Sequence, residues 1–362
     1  MRTAILKSPR IDDRFRFLIS LMIAVIQPTM ADLASICKLR PRRDLYCLSM
    51  LALLTFLPIV VNAQSLSPAA IDQFNHVIGS RVEAVTILGG DYSAAGGIYS
   101  FRGGNLAELN ITKAGGGGIV MAPMSLDIGD MKWAPVLQGN IGYGSADNEF
   151  ATGYLQGNHS LYKFFAIEFG GGARFYFTDH FSISPTISGI YGHIENSFNP
   201  QNSVGNTVKV AASGTYVDWD LDTWSVVPSL DLMYEYQWGQ TIFAFSSQYN
   251  FFHTESFKSS SPVVSISGDS QTWENKLDVD VPLGWKLFNH ELHTGGFFSR
   301  TELFGSAAVG LNTNNYYTVN GRVVLEMPRN KWYVRWIGLG FSQFWADNFS
   351  GWTAGVDIQL EI

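Results

Sequence analysis

Apolar and polar residues alternate with a period of two along several long stretches of the chain. In 222–238 the even positions include Trp224, Leu230 and Tyr234, whereas Asp231 is among the polar odd positions. A period of two places the two classes on opposite faces of a β-strand. The runs are about 11–17 residues long, whereas strands of soluble proteins usually have about 5–6 residues. This length suits tilted membrane-spanning strands, which need about 9–11 residues plus overhang.

The pattern predicts an all-β fold, a transmembrane antiparallel β-barrel of about 12 strands, with about 10 or 14 as alternatives. Neighbouring runs are close enough in sequence to form hairpins. The predicted strands are 105–113, 117–126, 131–145, 163–177, 181–195, 222–238, 241–257, 271–287, 291–304, 316–327, 331–346 and 351–362.

The connections between these strands alternate between short and long. Short turns are expected at 178–180, 238–240, 288–290 and 328–330. Longer connections are expected at 146–162, 196–221, 258–270 and 305–315. Outer-membrane barrels have short periplasmic turns and long outer loops, so we expect the short set to face the periplasm.

Residues 1–63 are interpreted as a secretory signal peptide. The apolar segment 48–61 is too short to cross a membrane, a basic segment precedes it, and Val61 and Ala63 suit cleavage before Gln64. A membrane anchor is the alternative. A second apolar stretch at 15–26 suggests an over-extended start, with the true start downstream of Met1.

Removing 1–63 changes the composition of the chain. Nine of the 24 Lys and Arg residues, four of the 31 Asp and Glu residues, and both cysteines lie there, so the remainder has a net charge of −12. A strongly acidic chain is a poor partner for a phosphate backbone, so no nucleic acid is expected. A cysteine-free exported chain has no disulfide framework and no thiolate ligands.

The segment before the barrel, 64–104, is predicted to hold a short N-terminal helix and a lead-in. Ser67 can cap a helix over 67–80, Pro68 fits its first turn, and Ile71, Phe74 and Ile78 follow helical spacing. The barrel itself is expected at 105–362, although 82–103 could supply two more strands.

With these features, residues 64–362 resemble an autotransporter-type outer-membrane β-barrel domain, a solitary barrel without a long passenger. The resemblance rests on the hairpin GGGARFYFTDHFSISPTISGIYGH (170–193), the helix before the strands, and the last strand GWTAGVDIQLEI. Ile362 departs from the aromatic residue usual at the end of this family. The resemblance implies a helix inside or below the pore and no settled biochemical activity.

Charged side chains on the polar faces of the predicted strands form the candidate site. They could line a pore that favours cations, or pair across strands and brace the wall. These lumen charges are Glu168, Arg174, Asp231, Glu235, Lys276, Asp278, Asp280, Arg300, Glu302, Arg322, Glu326, Asp357 and Glu361.

Other polar motifs are interpreted as structural. The adjacent Asp179 and His180 fall in a predicted periplasmic turn, away from the outer rim where a membrane hydrolase would need such a pair. The acidic run Asp218, Asp220 and Asp222 lacks the glycine of a calcium loop. The spacing of His159, His193 and His253 fits neither a metal site nor a nucleophile–histidine pair.

The sequence thus predicts a non-enzymatic, porin-like protein of the Gram-negative outer membrane, either a structural barrel or a narrow pore. No catalytic residue, cofactor or metal is assigned. Its expected partners are outer-membrane lipid and, during biogenesis, periplasmic chaperones and the barrel-assembly machinery. A membrane-embedded hydrolase or protease, and a surface adhesin or receptor acting through its loops, are the alternatives.

Overall fold

The structure is a computed structural model that describes most of the chain after the expected signal peptide. The prediction for 1–63 lies outside the described residues. The described residues are 68–90, 97–103, 106–121, 124–125, 132–149, 156–327, 334–347 and 349–360.

Antiparallel strands dominate the fold, with three helices among the described residues. The helices are α1 (Pro68–Gly90), α2 (Ser203–Ala212) and α3 (Ser306–Leu311). The strands are β1 (Gly97–Gly103), β2 (Leu106–Val120), β3 (Met124–Ser125), β4 (Lys132–Glu149), β5 (His159–Tyr176), β6 (Phe181–Asn199), β7 (Asp220–Trp238), β8 (Thr241–Ser259), β9 (Ser267–Leu287), β10 (His290–Gly305), β11 (Asn315–Glu326), β12 (Val334–Trp345) and β13 (Phe349–Leu360).

The sheet closes on itself, which makes it a barrel. From β4 to β13 each strand pairs with the next one in sequence, β13 pairs with β1, β1 with β2, and β2 with β4. The short β3 pairs with the start of β4. A closed sheet leaves no long strand with an unpaired edge, as a strand in lipid requires. The predicted fold class, an antiparallel all-β barrel, is confirmed; the exact strand number stays a prediction.

The N-terminal part of the barrel differs from the sequence-based prediction. The segments 105–113 and 117–126, predicted as two strands, form the single strand β2, whose register against β4 shifts between Gly115 and Gly117. The glycine run interrupts the alternating pattern, but it bulges the strand and does not end it. The strand β1 precedes position 105, inside the predicted lead-in.

The helix α1 is longer than the predicted 67–80 and continues to Gly90. Its second half is buried on nearly every side, from Val82 to Ile87. A helix that is surrounded by other elements loses the one-sided apolar pattern. For this reason no helical pattern is visible there, and the alternative of strands in 82–103 is wrong for 82–90.

Burial along the strands separates a lumen face from an outer face. On β5, Tyr162, Phe164, Ala166 and Glu168 are buried, whereas Phe169, the next residue, is 72% exposed. On β6, the same alternation runs from Ser182 to Asn199. Exposed apolar side chains in this pattern form the lipid-facing band of a membrane barrel.

The two ends of the barrel differ in their connections. The turn end carries the short connections at 177–180, 239–240 and 288–289, as predicted. The loop end carries 200–219 with α2, the segment 260–266, and 306–314 with α3. The predicted turn at 328–330 lies outside the described residues.

Candidate functional site

The helix α1 enters the lumen from the loop end. Near its N-terminus the Phe74 ring packs edge-on against Tyr216, with ring centroids 5.4 Å apart. The Asn75 side chain donates to the Val263 carbonyl (2.9 Å) and accepts from the Ser265 amide (3.3 Å). The C-terminal half of the helix therefore lies deeper in the barrel than its N-terminal half.

Apolar side chains fill the loop-end half of the lumen around α1. On the helix, Ile78, Val82 and Val85 are buried. Each such side chain stabilises the packed state by about 1.5–3 kcal/mol relative to exposure. The buried partners in the same cluster are Ala146, Tyr162, Phe164, Ile194, Trp219, Leu221, Val264, Ile266, Leu303 and Leu311.

The short helix α3 folds inward and packs directly on α1. A Cβ atom placed on Gly310 would lie 2.1 Å from the Ser80 carbonyl oxygen, so the two backbones touch at this point. Only glycine permits so close an approach. The glycine thus lets α3 close the lumen beside α1.

One carboxylate lies within this apolar region. Glu83, which is 2% exposed, accepts a hydrogen bond from the Ser270 hydroxyl, and the same hydroxyl accepts from the Ala307 amide (2.9 Å). Burial raises the pKa of the Glu83 carboxyl to about 7, although the hydrogen bonds from Ser270 and Ser306 lower it. Glu83 was not among the predicted site residues; a lone Glu within the apolar stretch VEAVTIL was the available signal.

The turn-end half of the lumen is polar, and several of the predicted lumen charges meet there in pairs. Arg322 donates to both oxygens of Asp278 (2.7 and 2.8 Å) in a bidentate ion pair. Arg174 donates to Ser184 (3.0 Å) and lies 3.9 Å from Asp231. Nine of the predicted residues lie on the lumen side: Glu168, Arg174, Asp231, Glu235, Lys276, Asp278, Asp280, Arg322 and Glu326.

Two of the predicted lumen charges face outward instead. Arg300 and Glu302 alternate with the buried Ser299, Thr301 and Leu303, and they pair with each other at 2.5 Å. The sequence of this strand does not show which positions face the lumen, because two adjacent glycines (295–296) and two adjacent phenylalanines (297–298) interrupt the alternation. The side chains of Asp357 and Glu361 lie outside those that the structure describes.

Histidine–carboxylate pairs lie on the outer face near the loop end. His193 Nδ1 is 2.6 Å from Asp222, and its Nε2 is 3.6 Å from Glu195. His253 repeats the arrangement with Asp269 (2.7 Å) and Glu255 (3.3 Å). His159 lies 3.1 Å from Asp147. The signal they share in the sequence is a glutamate two residues after each of His193 and His253.

A membrane hydrolase would use such a histidine differently. A catalytic histidine needs one nitrogen held by a carboxylate and the other facing a nucleophile. At His193 and His253 the second nitrogen faces another carboxylate.

The remaining motifs have structural partners. Asp179 and His180 lie in the predicted turn, where the Thr178 hydroxyl accepts from the His180 amide (3.2 Å). In the acidic run, Asp218 accepts from the Phe198 amide (2.8 Å), whereas Asp222 pairs with His193. The run therefore serves separate contacts in the loop and on the wall.

These features define a class of protein: an outer-membrane β-barrel of autotransporter type with a helix in its lumen. In the part of the chain that the structure describes, no helix is both long enough and apolar enough to span a membrane. Residues 119–354 match the family described as the solitary outer membrane autotransporter beta-barrel domain. The chain belongs to this family, and its resemblance to autotransporter barrels is thereby confirmed.

Solved structures of autotransporter barrels are similar to this chain at low identity. The β-domain of the Bordetella autotransporter BrkA is 11% identical, with a TM-score of 0.48, over 74% of this chain and 100% of its own. The translocator domain of NalP from Neisseria meningitidis is 12% identical, with a TM-score of 0.42, over 78% and 93%. The transport unit of AIDA-I from Escherichia coli is 7% identical, with a TM-score of 0.45, over 80% and 99%. No curated protein matches the sequence.

Proposed function

We propose that this protein is a non-enzymatic outer-membrane barrel whose lumen is closed at the loop end by α1 and α3. The observation that carries the proposal is the buried segment of α1 from Ile78 to Ile87, which packs against lumen-facing side chains. A helix held by that much apolar contact blocks an aqueous path more effectively than a mobile loop would.

The lumen charges then act mainly as braces of the wall. The paired geometry of Arg322 and Asp278 supports this role, because a bidentate ion pair fixes both side chains. The pair links β9 to β11 across β10. A narrow cation-selective pore is the weaker alternative, because a charge that is neutralised by an ion-pair partner attracts a permeating ion less strongly.

We further propose that the loop end faces the outside of the cell. The long connections lie at that end, as they do in outer-membrane barrels. Because α1 enters from the loop end, the start of α1 would lie toward the cell surface. Export with cleavage before Gln64, and assembly by periplasmic chaperones and the barrel-assembly machinery, complete the proposal.

The rival functions have less support. A hydrolase is disfavoured by the carboxylates that face both nitrogens of His193 and His253. An adhesin or receptor would act through the loops around α2 and 260–266. Deletion of a loop followed by a binding assay addresses this second alternative.

A disulfide between α1 and the loop-end segment 260–266 tests the closed lumen. A Cβ atom on Gly79 would lie 3.6 Å from the Cβ of Ile266, within the range of about 3.5–4.5 Å that a disulfide requires. In a chain that starts at Gln64, which has no native cysteine, we expect Gly79→Cys with Ile266→Cys to cross-link on oxidation. Gly79→Cys with Val210→Cys is the control, because Val210 is 87% exposed on α2.

Planar-bilayer recording then gives the functional result. We expect little steady conductance from the unmodified protein and none from the oxidised Gly79–Ile266 variant. Steady conductance with the disulfide intact would refute the proposal of a closed lumen. Large openings that appear only after reduction would instead identify a gated pore.

A further inference from the structure

A cluster of potential ligands lies at the turn end of the lumen, on two adjacent strands. Glu291 and His293 are on β10, and Glu326 is on β11. One ligand atom from each lies within 4.8 Å of those of the other two. Because 33 residues or more separate Glu326 from the other two in sequence, local spacing gave no metal signal, and only strand pairing unites them.

The local backbone explains how β10 presents two side chains here. The register between β9 and β10 shifts between Glu291 and His293, where three residues of β9 oppose the single Leu292. Gly284, with a φ of 70°, lies at the centre of this bulge. Bulges of this kind redirect side chains and recur beside functional sites.

The contacts of His293 have the form of a metal ligand with its supporting carboxylate. His293 Nδ1 is 2.7 Å from an oxygen of Asp280, which is 7% exposed. A carboxylate on one nitrogen fixes the tautomer and the ring, and it leaves the lone pair on the other nitrogen for a metal.

The other nitrogen faces a carboxylate without a hydrogen bond. His293 Nε2 is buried, has no hydrogen-bond partner among the described residues, and lies 3.4 Å from Glu326 Oε2. When the other ring nitrogen donates to Asp280, this nitrogen and the Glu326 carboxylate repel each other unless a proton or a metal ion lies between them. Adjacent ligands of a tetrahedral ion with bonds of about 2.0–2.1 Å are about 3.3–3.4 Å apart, which fits the observed separation.

We propose that Glu291, His293 and Glu326 bind a divalent transition-metal ion, with Zn²⁺ as the best match, and that Asp280 positions His293. One imidazole with carboxylates suits Zn²⁺ better than Mg²⁺ or Ca²⁺, which prefer oxygen ligands alone. Glu291 is exposed at the mouth of the lumen, so the ion has a route of entry and room for a water ligand. The ion ties β10 to β11.

Metal binding is measured on the untagged protein extracted from membranes in detergent and stripped with EDTA. Calorimetric titration with Zn²⁺ is expected to give one saturable site per chain, and bound Zn²⁺ is expected to raise the thermal unfolding midpoint. We expect His293→Gln and Glu326→Gln to abolish the saturable site. Asp280→Asn is expected to weaken it by about 10–100-fold, because it removes only the supporting carboxylate.

The matched control is His253→Gln, which removes a histidine with the same aspartate contact on the outer face. It should leave Zn²⁺ binding unchanged.

Co²⁺ provides a second readout, because four- or five-coordinate binding gives visible absorption bands that His293→Gln would remove. Heat-modifiable electrophoretic migration shows that each variant is folded. Absence of saturable binding by the unaltered protein, or its persistence in folded His293→Gln, would overturn the proposal.

Discussion

Replacing Glu83 by glutamine tests the electrostatics of the helix within the lumen. Burial raises the pKa of this carboxyl from 4.5 to about 7. Between these values the folded protein binds a proton that the unfolded chain does not, so the free energy of unfolding falls as the pH rises. One pKa unit corresponds to about 1.36 kcal/mol. Glu83 alone should therefore lower the stability by about 3 kcal/mol between pH 4 and pH 8.

The assay is urea unfolding of the refolded protein in detergent micelles, followed by tryptophan fluorescence, at a series of pH values. Trp219 lies in the cluster that surrounds α1 and reports on its release. Glu83→Gln keeps the shape of the side chain and removes the titration. We compare the free energy of unfolding of Glu83→Gln with that of the unaltered protein at each pH. From pH 4 to pH 8 the value for the variant should rise by about 3 kcal/mol relative to that of the unaltered protein.

Other titrating groups change the stability of both proteins equally, so only the difference between the two is interpreted. Glu195→Gln is the control, because that side chain is exposed on the outer face. It should shift the curve little at any pH. The reasoning is refuted if the Glu83→Gln difference is the same at pH 4 and pH 8.

Three further changes probe packing and pairing with the same unfolding assay. Gly310→Ala should destabilise the protein by about 1–3 kcal/mol or more, since its Cβ would strike the backbone of α1, whereas Gly321→Ala, with nothing within 4 Å, should have little effect. Ile78→Ala should cost about 2–5 kcal/mol through the cavity it leaves, and a cost near zero would mean that α1 is not packed in the lumen. Asp278→Asn should cost about 2–3 kcal/mol by weakening its ion pair with Arg322, and an unchanged midpoint would count against a bracing role.

The alternating pattern was enough to predict the barrel and the direction of most side chains. Residues such as Glu168 and Phe169 alternate between lumen and lipid, and this alternation is a local property of the strand. The short turns and long loops could be predicted as well, because the length of a connection is the number of residues between two predicted strands. The prediction that Arg300 and Glu302 face the lumen is wrong. Two adjacent glycines and two adjacent phenylalanines interrupt the alternation of apolar and polar residues in that strand, so the sequence does not show which positions face the lumen.

The sequence by itself determined a β-barrel whose strands have one polar and one apolar face, because the alternation along a strand depends only on residues that are neighbours in sequence. The tertiary structure alone decided what occupies the space inside that wall. It extended α1 to Gly90 and brought Glu83 to Ser270, 187 residues away. It also brought His293 to Glu326 through strand pairing. Such contacts have no local signature, because strand register and the path of the helix place residues that are distant in sequence against each other.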